Sequence, residues 1–190
     1  RAATPEVARR ILDVVRFREE EQKAAGEDVR KTQPSPGNKD GGITTLEEKS
    51  LGCIHKGGST PIMEMVDCAH PPTKKGLVLM DTPCYDMLSV TAKAAAGCQL
   101  IVFTTGRGNA IGNPVSPVMK VTANGDTFRR MSDNLDLDMS PVLEKGMSLE
   151  QMADITMENL LETLSGKLTK AEIYKFGYSE TIISRVCEYC

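Results

Sequence analysis

Apolar positions along the chain follow two periods. Val7, Ile11, Leu12 and Val15 recur at helical spacing and mark one face of a first helix. Thr4 precedes Pro5, an N-cap followed by a residue suited to the first helical position, and Gly26 stops the run. From Glu27 to Asn38 the chain is polar, and Pro34 and Pro36 argue for an extended, exposed linker. Thr44-x-x-Glu47 and Thr45-x-x-Glu48 are overlapping capping boxes, so a second helix starts at one of them and ends at Gly57-Gly58. Ser59-Thr60-Pro61 reads as the cap of a third helix reaching about Cys68.

The pattern then changes. Gly76–Asp81 and Gln99–Thr104 are short apolar runs of the kind that form buried strands, and the alanine-rich segment Asp86–Ala96 between them is a helix closed by Gly97. Strand, helix and strand in that order predict a βαβ unit with parallel neighbours and a right-handed crossover. A third strand, Val118–Val121, follows the loop at Gly112-Asn113-Pro114. Ser148-x-x-Gln151 is another capping box and opens a helix to about Leu164. Residues 173–186 fit a final strand and a short helix equally. No internal repeat is present. The expected class is α/β, a Rossmann-like three-layer domain with a mainly parallel sheet. Its parts are an N-terminal helix and linker (1–36), a core (about 37–165) and a C-terminal extension (166–190).

Composition narrows the field of functions. With 190 residues the chain can bury one good core, and 40% hydrophobic with 26% charged residues is ordinary for a globular protein. A net charge of -3 with no basic stripe gives no footprint for nucleic acid. The longest apolar runs, Leu77–Met80 and Leu100–Phe103, are too short to cross a bilayer. Arg1 is not preceded by an apolar leader, and the expectation is a cytoplasmic protein of which this chain is a fragment. Six cysteines are then expected to be mostly reduced. Cys187-x-x-Cys190 is a weak redox or metal motif, because its tail lacks the electropositive setting that lowers a thiol pKa.

Open α/β sheets bind ligands beyond the carboxyl ends of their strands. Here those ends are Asp81-Thr82-Pro83 and Thr104-Thr105-Gly106-Arg107-Gly108. The second joins two hydroxyls, a permissive turn and a guanidinium fork, all suited to a carboxylate or phosphate. Its plain alternative is a glycine turn with Arg107 paired to a surface acid. No G-x-x-x-x-G-K-[ST] loop is present. Glu47, Glu48 and Lys49 stand in the first turn of their helix, with Lys56 near its end. A capping box with a solvated lysine explains them individually. Together, behind Gly37-Asn38 and Gly41-Gly42, they also suit an anion at a helix start. Cys53-x-His55 and Cys68-x-His70 raise zinc as a rival, against which stands the one-residue spacing inside each pair.

Long motifs connect these segments. Arg1-Ala2-Ala3-Thr4-Pro5-Glu6-Val7-Ala8, Gly37-Asn38, Gly41–Gly52 and Lys56-Gly57-Gly58-Ser59 are followed by Asp81-Thr82-Pro83, Ala94-Ala95-Ala96-Gly97 and Phe103–Gly108. Gly112-Asn113-Pro114, Pro117-Val118-x-Lys120-Val121 and Ser132-Asp133-Asn134 complete the series. The chain thereby resembles the C-terminal part of the altronate and galactarate dehydratases. The resemblance covers most of residues 1–165. It implies a hydro-lyase using a divalent metal, usually iron or manganese, whose full-length members carry a small N-terminal β domain and an upstream acidic glycine motif. It also extends to a sulfo-lyase acting on sulfolactate. This chain departs from the pattern at Cys84, where glycine is usual, and at Asn109-Ala110, where Thr-Pro is usual. Leu137-Asp138-Met139-Ser140 replaces Ile-Asn-Ala-Gly, and Tyr178 replaces a common histidine.

Dehydrating a sugar acid to a 2-keto-3-deoxy acid means removing a proton beside a carboxylate and expelling the neighbouring hydroxyl. The dianion that develops needs cationic donors, each worth about 2.7–4 kcal/mol when well placed. On that basis Thr104, Thr105, Gly106 and Arg107 are expected to bind substrate, with Asn38, Gly42, Thr44, Thr45 and Ser59. Lys49 and Lys56 are expected to stabilise charge or carry protons, and Glu48 to act as base or metal ligand. The metal ligands are left unassigned. Thr104, Thr105 and Arg107 are expected to share a cleft with the Gly41–Lys49 helix start. The expected partners are a sugar acid and the N-terminal domain or subunit of the same enzyme, with self-association into a homo-oligomer also open. Without that partner the chain is expected to be inactive. The alternatives are a sulfolactate-type sulfo-lyase subunit, a non-catalytic phosphate- or nucleotide-binding module, and a structural subunit.

Overall fold

Thr4 caps the first helix as its chemistry requires, its Oγ accepting the Val7 N–H at 3.4 Å, and Pro5 follows as the first helical residue. This helix, α1 (Pro5–Ala24), opens a computed structural model that describes residues 1–26, 33–83 and 85–177. The chain divides into two compact units. The first holds Arg1–Asp67 and Pro72–Asp81, and the second holds Cys68–Pro71 and the described residues from Thr82 onward.

In the first unit, Gly26 ends the α1 region at φ +73°. The linker is not extended throughout, because α2 (Pro36–Asp40) is a short helix. Pro36 sits at its first position, where the missing N–H breaks no intrahelical bond, so the proline read as a breaker is an initiator here. Residues 27–32 of the expected linker lie outside the described residues. Thr45 is the N-cap of α3 (Leu46–Lys56), and Gly57 closes it.

The expected helix from Ser59 to Cys68 is instead a strand, β1 (Ile62–Val66), in parallel register with β2 (Leu77–Met80). The cause is long-range. Ile62 donates to the Arg1 carbonyl and Ala3 donates to the Ile62 carbonyl, each at 2.9 Å, so the N-terminus of the chain pairs with β1. Proline at position 61 suits the entry to a strand as well as to a helix. Arg1 also donates to the carbonyls of Gly57 and Thr60, both at 2.8 Å, placing a cation at the C-terminal end of α3.

The second unit begins its regular structure with α4 (Asp86–Ala95), closed by Gly97 at φ +90°. It continues through β3 (Ile101–Thr104), β4 (Val118–Thr122), α5 (Gly125–Arg130), β5 (Leu137–Asp138), α6 (Pro141–Glu144), α7 (Leu149–Leu164) and α8 (Lys170–Ile173). The sheet order is β3-β4-β5 and both pairings are parallel. The expected pairing of residues 77–81 with 100–104 does not occur among the described residues, since these runs belong to separate sheets. Each run was correctly a strand, but β2 pairs with β1 and β3 with β4. Adjacency in the chain is not adjacency in space here: the partner of β2 is the strand at 62–66, where the sequence predicts a helix.

All five residues of β4 are buried, and alternation along it sends side chains to two different cores. Val118 packs with Val90 of α4, Ile101 and Ile111. Met119 and Val121 pack with Leu137, against Ile155 and Leu160 of α7. A helix therefore covers each face of the central strand, which is the three-layer α/β arrangement with parallel strands expected from the sequence. The short elements α5, β5 and α6 went unread because runs of two to six residues are too brief to display a period. Helix α8 ends at Ile173, where the segment left open between strand and helix begins. Residues 178–190, with Tyr178 and Cys187-x-x-Cys190, lie outside the described residues, as does Cys84. Among the described residues no helix is long and apolar enough to cross a membrane.

Candidate functional site

The sequence candidates fall into two groups, one in each unit. In the first unit they gather at the start of α3. Thr45 Oγ accepts the Glu48 N–H at 3.1 Å, while Glu48 Oε2 accepts the Thr44 N–H and the Thr44 hydroxyl, both at 2.8 Å. The Thr44 backbone bond and then its hydroxyl bond hold the Glu48 carboxyl below the ordinary glutamate range. Glu48 is thus an ionised, fixed acceptor at neutral pH. It also takes the Thr44 N–H that an incoming anion would use. Lys49 Nζ donates to Gln33 Oε1 at 2.5 Å. Asn38 Oδ1 accepts the Ser35 hydroxyl at 2.9 Å, and the Asn38 carbonyl accepts the Ile43 N–H at 3.0 Å, closing the turn that contains Gly42 at φ +96°. Lys56, the last residue of α3, and Ser59 are exposed.

In the second unit, Thr104 ends β3 and the next four residues form a loop tied down from several sides. The Thr105 N–H extends the ladder to the Val121 carbonyl at 3.0 Å. Thr105 Oγ accepts the Gly108 N–H at 3.0 Å, and Thr127, buried on α5, donates its hydroxyl to the Gly106 carbonyl at 2.8 Å. Gly108 has φ +84°, and Met131 Sδ occupies the space a Cβ would need. Asn109 Nδ2 donates to Asp86 Oδ2 at 2.8 Å, joining the loop to the first turn of α4. Arg107 stands at the crest, exposed, and among the described residues it has no carboxylate in ion-pair range. The surface-pair alternative for Arg107 therefore finds no partner acid there.

Sequence reasoning missed the residues that hold this loop. Thr127 and Asp86 lie in helices read only for packing, or not read at all. Asn109, noted as a departure from the family pattern, has a clear structural task. Asp81, the other strand-end candidate, is engaged by Arg18 of α1, whose Nη2 lies 2.7 Å from Asp81 Oδ2. Thr82, Asp86, Ser89, Lys93 and Thr104 line a cavity of about 300 Å³ within the second unit. Their helical spacing on Asp86-x-x-Ser89-x-x-x-Lys93 was the available signal.

Among the described residues no three or more His, Cys, Asp or Glu side chains converge as a metal site. The Cys53/His55 and Cys68/His70 pairs are divided between the two units, and His70 Nδ1 lies 3.1 Å from the Cys68 carbonyl oxygen. Among the described residues the His, Cys, Asp and Glu side chains do not assemble an iron or manganese centre.

The family described as D-galactarate/Altronate dehydratase, C-terminal, matches residues 1–188. The chain is 41% identical over 162 residues to the (2R)-sulfolactate sulfo-lyase subunit beta of Chromohalobacter salexigens, covering 85% of this chain and 41% of that protein. It is 36% identical over 172 residues to the altronate dehydratase of Bacillus subtilis, covering 90% of this chain and 34% of that protein. To the galactarate dehydratase (L-threo-forming) of Escherichia coli it is 33% identical over 167 residues, 88% of this chain and 32% of that protein. The chain thus spans less than half the length of each of these relatives.

Proposed function

Since this chain belongs to the D-galactarate/altronate dehydratase family and matches its C-terminal part, we propose that it supplies the acid-binding portion of a lyase. That enzyme removes water from a sugar acid of altronate or galactarate type and leaves a 2-keto-3-deoxy acid. The observation that carries this reading is Arg107, an exposed guanidinium without a carboxylate partner among the described residues, on a loop braced by Thr105, Thr127 and Asn109.

Arg107 presents a planar fork that matches a carboxylate in two parallel hydrogen bonds. Held there, the carboxylate makes the adjacent C–H more acidic, because negative charge spreading into it meets a fixed cation rather than reorganising water. The Thr104 and Thr105 hydroxyls orient the acid through its own hydroxyl groups. In the first unit, Lys49 and Lys56 are the cations assigned to charge stabilisation or proton transfer. Glu48, ionised and held by Thr44, suits binding a cation or a hydroxyl better than accepting a proton at neutral pH. A divalent iron or manganese ion would supply Lewis-acid stabilisation in the complete enzyme, and its ligands are assigned to the remainder of that enzyme.

A second reading has a specific observation in its favour, the 41% identity to a sulfo-lyase subunit beta. Expulsion of sulfite in place of water begins with the same proton loss beside a carboxylate. The test is to assay the full-length protein with altronate, galactarate and sulfolactate, with iron or manganese added, following 2-keto acid and sulfite. Turnover of a sugar acid that fails in Arg107→Ala supports the first reading, and sulfite release from sulfolactate alone supports the second. No product from any of them removes both. The chain alone, assayed in parallel, is expected to be silent.

A further inference from the structure

One face of α4 carries Asp86, Ser89 and Lys93, and all three line the cavity of about 300 Å³ in the second unit. That volume is at the small end of small-molecule sites. An ammonium has three donors. Lys93 Nζ directs one at the Ser89 carbonyl, 3.3 Å away, and one at Ser89 Oγ. Ser89 Oγ in turn lies 3.2 Å from Thr82 Oγ1. Among the described residues no carboxylate comes within ion-pair range of Lys93. Asp86 is two helical turns away, roughly 10 Å along the axis, and its carboxylate is turned to Asn109. Burial pulls the Lys93 pKa down, against the opposing pull of the Cys98 and Cys68 thiols. A partly desolvated cation with a donor left over and no carboxylate in ion-pair range among the described residues is an unfavourable arrangement by itself. An anion in the cavity would relieve it.

We propose that Lys93, with the Ser89 and Thr82 hydroxyls, is a subsite for a second anionic group of the substrate, a carboxylate or a sulfonate. Thr104 lines this cavity and also begins the loop that carries Arg107. Lys93 shares the cavity with Thr104, and Arg107 follows that threonine in the same loop. A dianionic acid places one charged group at Arg107 and the other at Lys93. The substrate class is therefore an acid with two anionic groups, and an acid with a single carboxylate leaves Lys93 unpaired. Naming the substrate rests on the lyase reading above, whereas anion binding at Lys93 does not.

The experiment titrates galactarate, sulfolactate and altronate calorimetrically into the full-length protein and its Lys93→Met and Ser89→Ala variants. The expected result is that Lys93→Met weakens galactarate or sulfolactate roughly tenfold or more while leaving altronate within about twofold. Ser89→Ala should move the same ligand by less. The preferred dianion distinguishes a carboxylate from a sulfonate occupant. An equal effect on all acids, no effect, or no binding of either dianion to the wild type overturns the subsite. If Lys93→Met does not fold, acylation of Lys93 in the wild type decides: bound dianion must protect it, and absence of protection overturns the proposal. Lys93-dependent binding without turnover would remove the lyase reading and keep the subsite. Turnover of a dianionic acid by Lys93→Met at an unchanged KM would do the reverse.

Discussion

Lys120 and Asp136 form an ion pair in the second unit, 3.6 Å from Nζ to Oδ2, with the lysine side chain wholly buried. The lysine is held further by the Ile111 carbonyl at 3.1 Å. Asp136 accepts the Lys120 N–H at 2.7 Å and the Lys170 N–H at 2.6 Å, so one carboxylate links β4, the residues before β5 and the start of α8. Burial pulls the Lys120 pKa down and Asp136 opposes it. Breaking a buried pair from one side strands a charge, at about 3–5 kcal/mol, whereas replacing both partners by apolar residues of similar volume is often close to neutral. Asp136→Ala should therefore lose about that much in a denaturant titration. Lys120→Met should lose less, because the carboxylate it leaves behind is partly exposed and keeps the Lys120 and Lys170 N–H donors, whereas Asp136→Ala strands a wholly buried ammonium. Equal losses would mean that the backbone donors do not compensate the carboxylate once its cation is gone.

Arg107→Lys keeps the charge and removes the fork. In the full-length enzyme the loss of one charged hydrogen bond, about 1.5–3 kcal/mol, corresponds to a fall in kcat/KM of roughly ten- to hundredfold. Stability should stay within about 0.5 kcal/mol, because the side chain is exposed. Wild-type kcat/KM in this variant would return Arg107 to the surface.

The loop beneath Arg107 depends on Gly108. An alanine there is strained at φ +84° and meets Met131 Sδ. Gly108→Ala should cost about 1–3 kcal/mol in thermal unfolding. The paired change Gly108→Ala with Met131→Ala should recover the steric part and leave the backbone part. A fully neutral single substitution would show that the loop shifts freely.

Local signals made much of this fold legible. Thr4, Thr45 and Ser148 cap the helices expected of them, and the apolar runs at 77–80, 101–104 and 118–122 are strands. What failed was pairing. The partner of β2 was hidden because Ile62–Val66 becomes a strand only through its ladder with β2 and, at Ile62, through the distant backbone of Arg1 and Ala3. The Thr104–Gly108 loop stood out because glycine, hydroxyl and guanidinium are rare company. Its supports did not, since Thr127 and Asp86 become relevant only once folding brings them beside it. Lys120, fully buried, carries no local mark that distinguishes it from a solvated strand lysine.

Acid should weaken the first unit in a way that can be traced to individual residues. The Glu48 carboxyl is held below its ordinary range by the Thr44 N–H and hydroxyl, and Glu64 is lowered by the Thr73 hydroxyl and N–H, each bond 2.8 Å long. For carboxyls whose folded pKa is depressed, the unfolded chain binds protons first as the pH falls. Their stabilisation is thus complete above the ordinary glutamate value of about 4.3 and is lost as the pH drops through the lower folded values. These four bonds are strongest to the ionised carboxylates, so Glu48→Gln and Glu64→Gln should each flatten the acid limb of the stability profile. Thr44→Val should do the same for Glu48 by deleting the hydroxyl while keeping the N–H, with a smaller effect than Glu48→Gln. The measurement is urea unfolding at a series of acidic pH values, with Thr44 and Thr73 amide exchange as local reporters. If the acid limb in Glu48→Gln is as steep as in the wild type, and Thr44 protection is unchanged, the cap does not hold the helix start and Glu48 is free to serve chemistry instead.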